Sequence, residues 1–339
     1  MTHSNLFDVS LPLALLGQCP VYAASPLDQR MIHGRSILIK DETDRMGLGA
    51  FKALGGVYAV AKLIEARHSG AVEAAGFQSA ALRELASEMT FVCASAGNHG
   101  LAVAAGAKLF GACARIFLSK TVPEDFALRL KDKGAEVVRA GEDYEGSVAA
   151  AIEDAERTDA LHLADGSWPG YTEPPRLVME GYTVIAEEMR RQFEAGLNWP
   201  SHVYLQAGVG GLAAAIAYMI RLNWAIQPRI IVVEPDSAPC LKESVAAGKI
   251  MTVDGPESNM GRLDCKTPSM LAFNILKNCA DDWVTISDQQ ALEAVKAAAD
   301  YGYSTTASGG AGFAACQMDN ADLPLVILSE RGLEATASS

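Results

Sequence analysis

Short apolar runs alternate with longer stretches of helical periodicity along most of this chain. We expect strands at the short runs, which are residues 36–40, 91–94, 114–118, 136–139, 202–206, 229–234 and 323–328. We expect helices at the longer stretches, which are residues 50–65, 101–110, 123–133, 144–157, 176–193 and the segment after Gly211. Because strands and helices alternate, the pattern predicts an α/β fold whose sheets are mostly parallel.

Length and composition favour a large folded core. The chain has 339 residues, of which 50% are apolar, and this excludes a disordered chain and favours two lobes or two domains. The formal charge is -13 and no run of Lys or Arg occurs, which argues against a nucleic-acid partner. The longest uncharged stretch, residues 201–220, contains three glycines as well as His202 and Gln206. It therefore predicts a strand, a loop and a helix, and we expect no membrane partner.

Cysteine usage and the first residues bear on the cellular compartment. The chain begins without a basic segment followed by an apolar core, which predicts a cytoplasmic protein. The seven cysteines show no C-x-x-C spacing, so we expect neither a zinc site nor a dense disulfide framework, and no metal ion. Most cysteines should be reduced and buried. Whether Cys265 and Cys279 pair stays open at this point.

Three glycine-containing turns each follow a predicted strand and open a helix, where free backbone N–H groups favour an anion. The chain has no G-x-x-x-x-G-K-[ST] motif, and the turn at residues 208–211 lacks the third spaced glycine of a dinucleotide site. ATP and NAD are therefore disfavoured. Lys52 beside a helix start, the pair Asn98 and His99 in a turn, and a glycine-rich anion cradle suit a phosphorylated aldehyde held as a Schiff base.

Four segments together resemble a known family. They are KDE at residues 40–42 with RMGLGAFKALGG at 45–56, ADGSWPGY at 164–171, MEGY at 179–182, and the stretch from Met260 to Ala280. In this order they look like fold-type II pyridoxal-phosphate (PLP) enzymes and, among these, the diaminopropionate ammonia-lyases. The resemblance spans residues 31–332. It implies two lobes, each with a mostly parallel sheet flanked by helices, and we expect a small domain at 87–173 and a large PLP-binding domain from 1–86 with 174–339.

The resemblance also implies roles for individual residues. Lys52 would form the Schiff base and act as the base at Cα, and Asp165 would contact a second substrate amine or protonate the leaving group. Asn98 would bond the phenolic oxygen of the cofactor, and Ser329 would face its pyridine nitrogen. The remaining cofactor-binding residues would cradle the phosphate; they are Gly208, Val209, Gly210, Gly211 and Leu212. The substrate carboxylate would bind to the turn formed by Ser95, Ala96, Gly97, Asn98 and His99.

Ala96 departs from the family pattern. The ammonia-lyase that accepts both enantiomers has an aspartate at this place, and serine racemases have a serine. Because an alanine side chain cannot transfer a proton, Ala96 argues against racemisation and against turnover of D-substrates. His99 is expected to be structural, since its backbone and not its imidazole serves the carboxylate clamp.

The resemblance implies an enzyme, a PLP-dependent ammonia-lyase. We expect α,β-elimination from a short L-amino acid such as 2,3-diaminopropionate, giving a 2-oxo acid and ammonia. A threonine/serine or 3-hydroxyaspartate dehydratase is the first alternative, because the turn at residues 95–100 suits it as well. A catalytically silent PLP-fold protein that binds an amino acid is the second. The expected partners are a small amino-acid substrate and a second copy of the chain in a homodimer.

Overall fold

The computed structural model describes residues 5–68 and 79–332 and forms two compact units. The first unit contains Met1–Tyr22 and Lys52–Val184, and the second contains Ala23–Phe51 and Ile185–Ser339. These divisions differ from the expected boundaries after residues 86 and 173, because the helix that begins at Lys52 packs on the helix that begins at Asn98. The sequence-based domain boundaries stay a prediction.

The strands and helices are numbered in chain order. The strands are β1 (Leu27–Ile32), β2 (Arg35–Asp41), β3 (Thr90–Ala94), β4 (Cys113–Leu118), β5 (Glu136–Arg139), β6 (Leu161–His162), β7 (His202–Gln206), β8 (Arg229–Pro235), β9 (Asp282–Ile286) and β10 (Pro324–Leu328). The α-helices are α1 (Ser10–Leu16), α2 (Lys52–Arg67), α3 (Ala80–Ala86), α4 (Asn98–Phe110), α5 (Glu124–Asp132), α6 (Tyr144–Thr158), α7 (Glu173–Glu194), α8 (Gly211–Asn223), α9 (Cys240–Ala247), α10 (Met270–Cys279), α11 (Asp288–Asp300) and α12 (Ala311–Gln317).

Each unit contains one sheet. In the first unit the strand order is β5-β4-β3-β6 and every pair is parallel. In the second unit the order is β1-β2-β10-β7-β8-β9, with β1 antiparallel to β2 and the other pairs parallel. Helices α4 and α6 pack on the first sheet, and α12 packs on the second. This is the α/β architecture of mostly parallel sheets that the alternating pattern predicts.

The predicted strands all form, with ends that agree to within one residue. The helices expected at residues 101–110 and 176–193 each begin three residues earlier, and the helix expected at residues 50–65 begins two residues later, at Lys52. Residues Arg45–Gly47 form a 3-10 turn, and Ala50 makes an isolated antiparallel bridge with Glu330. Ala50 is therefore held in a sheet-like pairing, and Lys52 becomes the first helical residue.

No helix in the described ranges is long and apolar enough to cross a membrane. The uncharged stretch at 201–220 forms β7, a loop and α8, as its glycines predict. All seven cysteines fall within the described residues and none of them is in a disulfide, so Cys265 and Cys279 do not pair in the structure.

Candidate functional site

Lys52 occupies the N-terminal end of α2, and its amine forms an ion pair with Asp165. Nζ of Lys52 donates a hydrogen bond to Oδ2 of Asp165. The two side chains are 22% and 26% exposed, so the pair is mostly buried but open to small molecules. The structure therefore brings together the two residues for which the sequence predicts catalytic roles.

Two side chains fix the segment that carries Asp165. Nε2 of His99 lies 2.7 Å from the carbonyl oxygen of Leu163, two residues before Asp165. The hydroxyl of Tyr171 donates to the carbonyl oxygen of His162 at 2.7 Å and accepts from the N–H of Ala164 at 3.0 Å. Because the backbone on the N-terminal side of Asp165 is held at three successive residues, its carboxylate has a defined position.

The charges around this pair favour an anionic Asp165. Burial by itself would raise the pKa of the Asp165 carboxyl, but the charge of Lys52, the nearby His99 and the hydrogen bond from Lys52 leave the pKa well below its ordinary value. Burial lowers the pKa of His99. A neutral His99 ring donates from Nε2 to the Leu163 carbonyl oxygen, which leaves Nδ1 with a lone pair and no partner among the described residues.

The predicted substrate-carboxylate turn lies between β3 and α4. Gly97 precedes the helix with no side-chain cap, and its N–H donates to Oγ of Ser95 at 3.3 Å. A Cβ at Gly100 would overlap the carbonyl oxygen of Ser95, so the tight turn requires glycine there. Asn98 and His99 are the first residues of α4, whose first N–H groups have no acceptor within the helix. These groups suit a carboxylate or another small anion.

The glycine-rich loop lies between β7 and α8 in the second unit. Gly210 has a φ of 99° and precedes the first helical residue, Gly211, with no side-chain cap. A Cβ at Gly210 would lie 2.8 Å from Cδ1 of Leu241 and 3.0 Å from Cβ of Ala272. A Cβ at Gly208 would lie 2.9 Å from the carbonyl oxygen of Arg262. The glycines thus allow a tightly packed loop that opens a helix with N–H groups available for an anion; Val209 and Leu212 belong to the same turn.

Ser329 follows β10 and is buried. Its Oγ accepts a hydrogen bond from Nε2 of Gln206 at 3.1 Å, and the same Nε2 lies 2.8 Å from the carbonyl oxygens of Gly309 and Ile327. Three surrounding oxygens identify this atom of Gln206 as the nitrogen donor. Since Ser329 accepts from Gln206, its own O–H remains able to donate, which suits an unprotonated pyridine nitrogen.

Two residues of these sites were not identified from the sequence. Gln206 orients Ser329, and its signal is a polar side chain that ends an apolar strand. Tyr182 lies beside Lys52, with Nζ over its ring and 5.9 Å from the ring centroid. The sequence MEGY marks Tyr182 only as part of a family resemblance, because the contact joins residues that are far apart in the chain.

A separate cleft of about 520 Å³ lies beside β4, β5 and α6 and contains none of the predicted site residues. Both arginines of this cleft are paired with its acidic groups: Arg115 bonds Glu136 at 2.8 Å and Asp154 at 2.6 Å, and Arg157 bonds Asp154 at 2.7 Å. Within residues 5–68 and 79–332, no group of three His, Cys, Asp or Glu side chains could hold a metal ion.

Each unit, taken by itself, presents groups that suit part of a phosphorylated pyridine aldehyde. Lys52 supplies a primary amine in a mostly buried position, the loop at 207–211 supplies helix-start N–H groups with no side chain at three positions, and Ser329 supplies a hydroxyl donor. Lys52, Asp165 and the 95–99 turn belong to the first unit, while the glycine loop and Ser329 belong to the second.

Comparison with known proteins identifies the family. The family model described as "Pyridoxal-phosphate dependent enzyme" matches residues 13–325. A diaminopropionate ammonia-lyase of Escherichia coli (strain K12) is 34% identical over 260 residues, which are 76% of this chain and 65% of that protein. The Salmonella typhimurium diaminopropionate ammonia-lyase is 33% identical over 301 residues, which are 85% of this chain and 74% of that protein.

The fold agrees with this result. A crystal structure of the Escherichia coli diaminopropionate ammonia-lyase, in complex with an aminoacrylate-PLP azomethine reaction intermediate, superposes with a TM-score of 0.85 at 29% identity. It covers 97% of this chain and 90% of that one. The chain therefore belongs to the pyridoxal-phosphate-dependent enzymes, and the prediction of fold type II is confirmed.

Proposed function

We propose that the protein is a PLP-dependent ammonia-lyase, a carbon–nitrogen lyase that eliminates the β-group of a short L-amino acid such as 2,3-diaminopropionate. The products are a 2-oxo acid and ammonia. The observation that carries this proposal is the ion pair of Lys52 and Asp165, which places a basic amine and a carboxylate side by side in a partly open site. The similarity to diaminopropionate ammonia-lyases supports the choice of substrate.

Each residue has a defined task in this proposal. When bound, PLP supplies an electron sink that makes the substrate's Cα–H acidic. Lys52 would hold the cofactor through its amine, and the same amine would take up the Cα proton of the substrate. The 95–99 turn would bind the substrate carboxylate, and the Asn98 amide would hydrogen-bond the phenolic oxygen of the cofactor.

Two features of the second unit suit the phosphate and the pyridine nitrogen of the cofactor. The N–H groups at residues 208–212 bind the phosphate, because the glycines keep side chains away from it. Ser329 donates its O–H to the pyridine nitrogen, and Gln206 orients it from behind. A hydroxyl partner leaves this nitrogen unprotonated, unlike a carboxylate partner.

Asp165 distinguishes an amine leaving group from a hydroxyl leaving group. In the free protein its carboxylate is anionic at neutral pH, since burial alone would raise its pKa but the charge of Lys52 outweighs that effect. An anion at this place attracts the second ammonium of 2,3-diaminopropionate and can receive or return a proton as the amine departs. Serine and threonine have no such positive charge, so a dehydratase would gain less from Asp165.

Ammonia and oxo-acid release from four substrates tests the proposal. L-2,3-diaminopropionate, L-serine, L-threonine and 3-hydroxyaspartate are supplied at equal concentration to the PLP-loaded protein. We expect the highest kcat/KM with diaminopropionate. A preference for a hydroxylated substrate would assign the protein as a dehydratase. Release from none of the four, with a normal Schiff-base absorbance band, would indicate a binding protein.

We also propose a cytoplasmic homodimer. The absence of disulfides among the seven cysteines, all of which are described, supports a reducing compartment, and the homodimer follows from the family resemblance. Light scattering coupled to size-exclusion chromatography should give twice the mass of one chain, and a monomer mass would reject the dimer.

A further inference from the structure

Tyr182 packs where the helix that carries Lys52 crosses α7, and each of these two helices has a glycine at the contact. Gly55 of α2 and Gly181 of α7 face each other, and a Cβ at Gly181 would lie 2.7 Å from Cα of Gly55. A Cβ at Gly55 would overlap Cε1 of Tyr182 and lie 2.6 Å from the carbonyl oxygen of Val178. The two helices thus approach to a distance that only glycine permits, and the ring of Tyr182 lies directly on Gly55.

This position places the ring on the same side of α2 as Lys52. Residues three apart in a helix lie on one face, so Gly55 is the next residue on the face of Lys52. Nζ of Lys52 lies over the Tyr182 ring, 5.9 Å from its centroid. Tyr182 is 1% exposed, so its ring is fixed by packing and cannot swing away. The amine is therefore bounded by an aromatic face and by the carboxylate of Asp165.

The ring and the amine also interact electrostatically. Burial raises the pKa of the Tyr182 phenol, and the positive charge of Lys52 opposes that rise. A phenol with a raised pKa stays neutral at physiological pH, so Tyr182 does not serve as a base. The face of a neutral aromatic ring stabilises an ammonium, and more strongly where water is excluded.

We propose that Tyr182 is a positioning residue for Lys52: its ring, seated on Gly55, stabilises the ammonium form and holds the amine beside Asp165 in one orientation. This inference rests on the proposed function only in that Lys52 carries the cofactor. It predicts that Tyr182 influences the pKa of the Lys52 amine and the rate at which that amine reacts. Tyr182 exerts both effects by contacting Lys52 and does not contact the substrate.

This inference can be tested without any substrate. PLP is added to the cofactor-free protein at a series of pH values, and visible absorbance measures the rate of Schiff-base formation. The rate rises with the neutral fraction of the Lys52 amine, so its midpoint reports the pKa of that amine. Tyr182→Leu should lower the midpoint by about 0.5 to 1 pH unit and reduce the limiting rate about fivefold. Tyr182→Phe keeps the aromatic face and should restore most of both values.

Two further variants separate positioning from packing. Tyr58→Phe is the matched control, because Tyr58 is a buried tyrosine of α2 whose hydroxyl donates to Glu180 at 2.8 Å. It should lower thermal stability and leave the midpoint unchanged. Tyr182→Met fills a similar space with an unbranched side chain but removes the aromatic face, so it should shift the midpoint in the same direction as Tyr182→Leu. Tyr182→Met decides the question if Tyr182→Leu does not fold.

The outcomes distinguish this inference from the proposed function. If folded Tyr182→Leu or Tyr182→Met keeps the wild-type midpoint and limiting rate, the role of Tyr182 is overturned while Lys52 still carries PLP. A Schiff base on a lysine other than Lys52 would overturn the proposed site itself. Normal Schiff-base behaviour with no elimination from any amino acid would overturn the proposed function and leave the role of Tyr182 intact.

Discussion

Lys52 and Asp165 show how a contact between distant residues defines a reactive pair. The two positions are 113 residues apart in the chain, and the structure brings them into one hydrogen bond. Motifs in the sequence mark each residue separately as part of a family pattern. Their pairing depends on α2 and on the segment after β6, which His99 and Tyr171 hold in place.

Asp165→Asn tests the charge of this carboxylate. The amide has nearly the same shape but no charge, so it attracts a second ammonium far less. We expect kcat/KM for L-2,3-diaminopropionate to fall about 100-fold, while turnover of L-serine and the Schiff-base absorbance change much less. Asp159→Asn is the control, since Asp159 forms an exposed pair with Arg67. Equal losses for both substrates would reject a specific role in recognising the amine.

Ala96 leads to a prediction about stereochemistry. Each enantiomer needs a base on the side of the cofactor ring to which its Cα–H bond points. Ala96 has no group that can serve as this base. We therefore expect at least about 100-fold preference for L over D substrates, and negligible solvent deuterium incorporation with inversion. The measurement is ammonia release from both enantiomers of the best substrate. Comparable rates would mean that another group occupies the second face.

At the scale of elements, the glycine turn before α8 combines a packing role with a binding role. Gly210 has a positive φ and would clash with Leu241 and Ala272 if it carried a Cβ. The sequence alone predicts that valine at Gly210 or Gly211 weakens PLP retention more than folding. For Gly210 the structure adds a direct cost to folding that the sequence pattern does not reveal.

Alanine substitutions separate the two roles of this turn. Gly210→Ala should lower the free energy of unfolding by about 1 kcal/mol or more, because alanine is strained at positive φ. Gly211→Ala, at the first residue of α8, should leave unfolding nearly unchanged and weaken PLP binding about tenfold. Thermal unfolding and cofactor titration measure the two effects. If Gly211→Ala binds PLP as tightly as the wild-type protein, the phosphate binds elsewhere.

The sequence predicts those elements whose residues form an apolar run or a clear helical period. Strands β3, β4, β7, β8 and β10 are buried runs of this kind, and each forms within one residue of its expected ends. The edge strand β1 was missed because Asp28, Gln29 and Arg30 at its centre are not buried. Local pattern also cannot reveal that Gly55 and Gly181 face each other, so the contact of Tyr182 with Lys52 required the structure.

At the scale of the whole molecule, the partly buried His162 links stability to pH. Burial, with a smaller contribution from nearby His99, lowers the pKa of His162 from 6.5 to about 4. A base with a lowered pKa stays neutral in the folded protein while the unfolded chain takes up a proton. Stability from this group is therefore complete above about pH 6.5 and is lost as the pH falls towards 4. The loss is roughly 3 kcal/mol at most.

His162→Gln should remove this contribution. We expect the variant to lose less free energy of unfolding than the wild type between pH 6.5 and pH 4, as measured by denaturant titrations at each pH. Its stability at neutral pH should fall, because His162 packs beside Tyr171 with ring centroids 5.1 Å apart. His33→Gln, at an exposed turn, is the control and should keep the wild-type slope. A wild-type slope in His162→Gln would contradict this account.

The division of the chain into units depends on packing that the sequence pattern does not resolve. Residues 52–68 fall in the first unit because α2 packs on α4, where Gly56 meets Ala102 and Gly106 meets Val57. These are contacts between small residues of separate helices. Alternation of strands and helices predicts the fold class, but it does not specify which helix packs on which sheet.

The position of the Schiff base tests the central claim most directly. Borohydride reduction of the PLP-loaded protein, followed by peptide mapping, should place a phosphopyridoxyl group on Lys52. Lys40 is the informative comparison, because its buried amine is bound to Glu188 at 2.7 Å and to the Ser25 carbonyl oxygen at 2.8 Å. Lys52→Ala should show no stable label and no elimination. A label on Lys40, Lys108 or any other lysine of the wild-type protein would contradict the account.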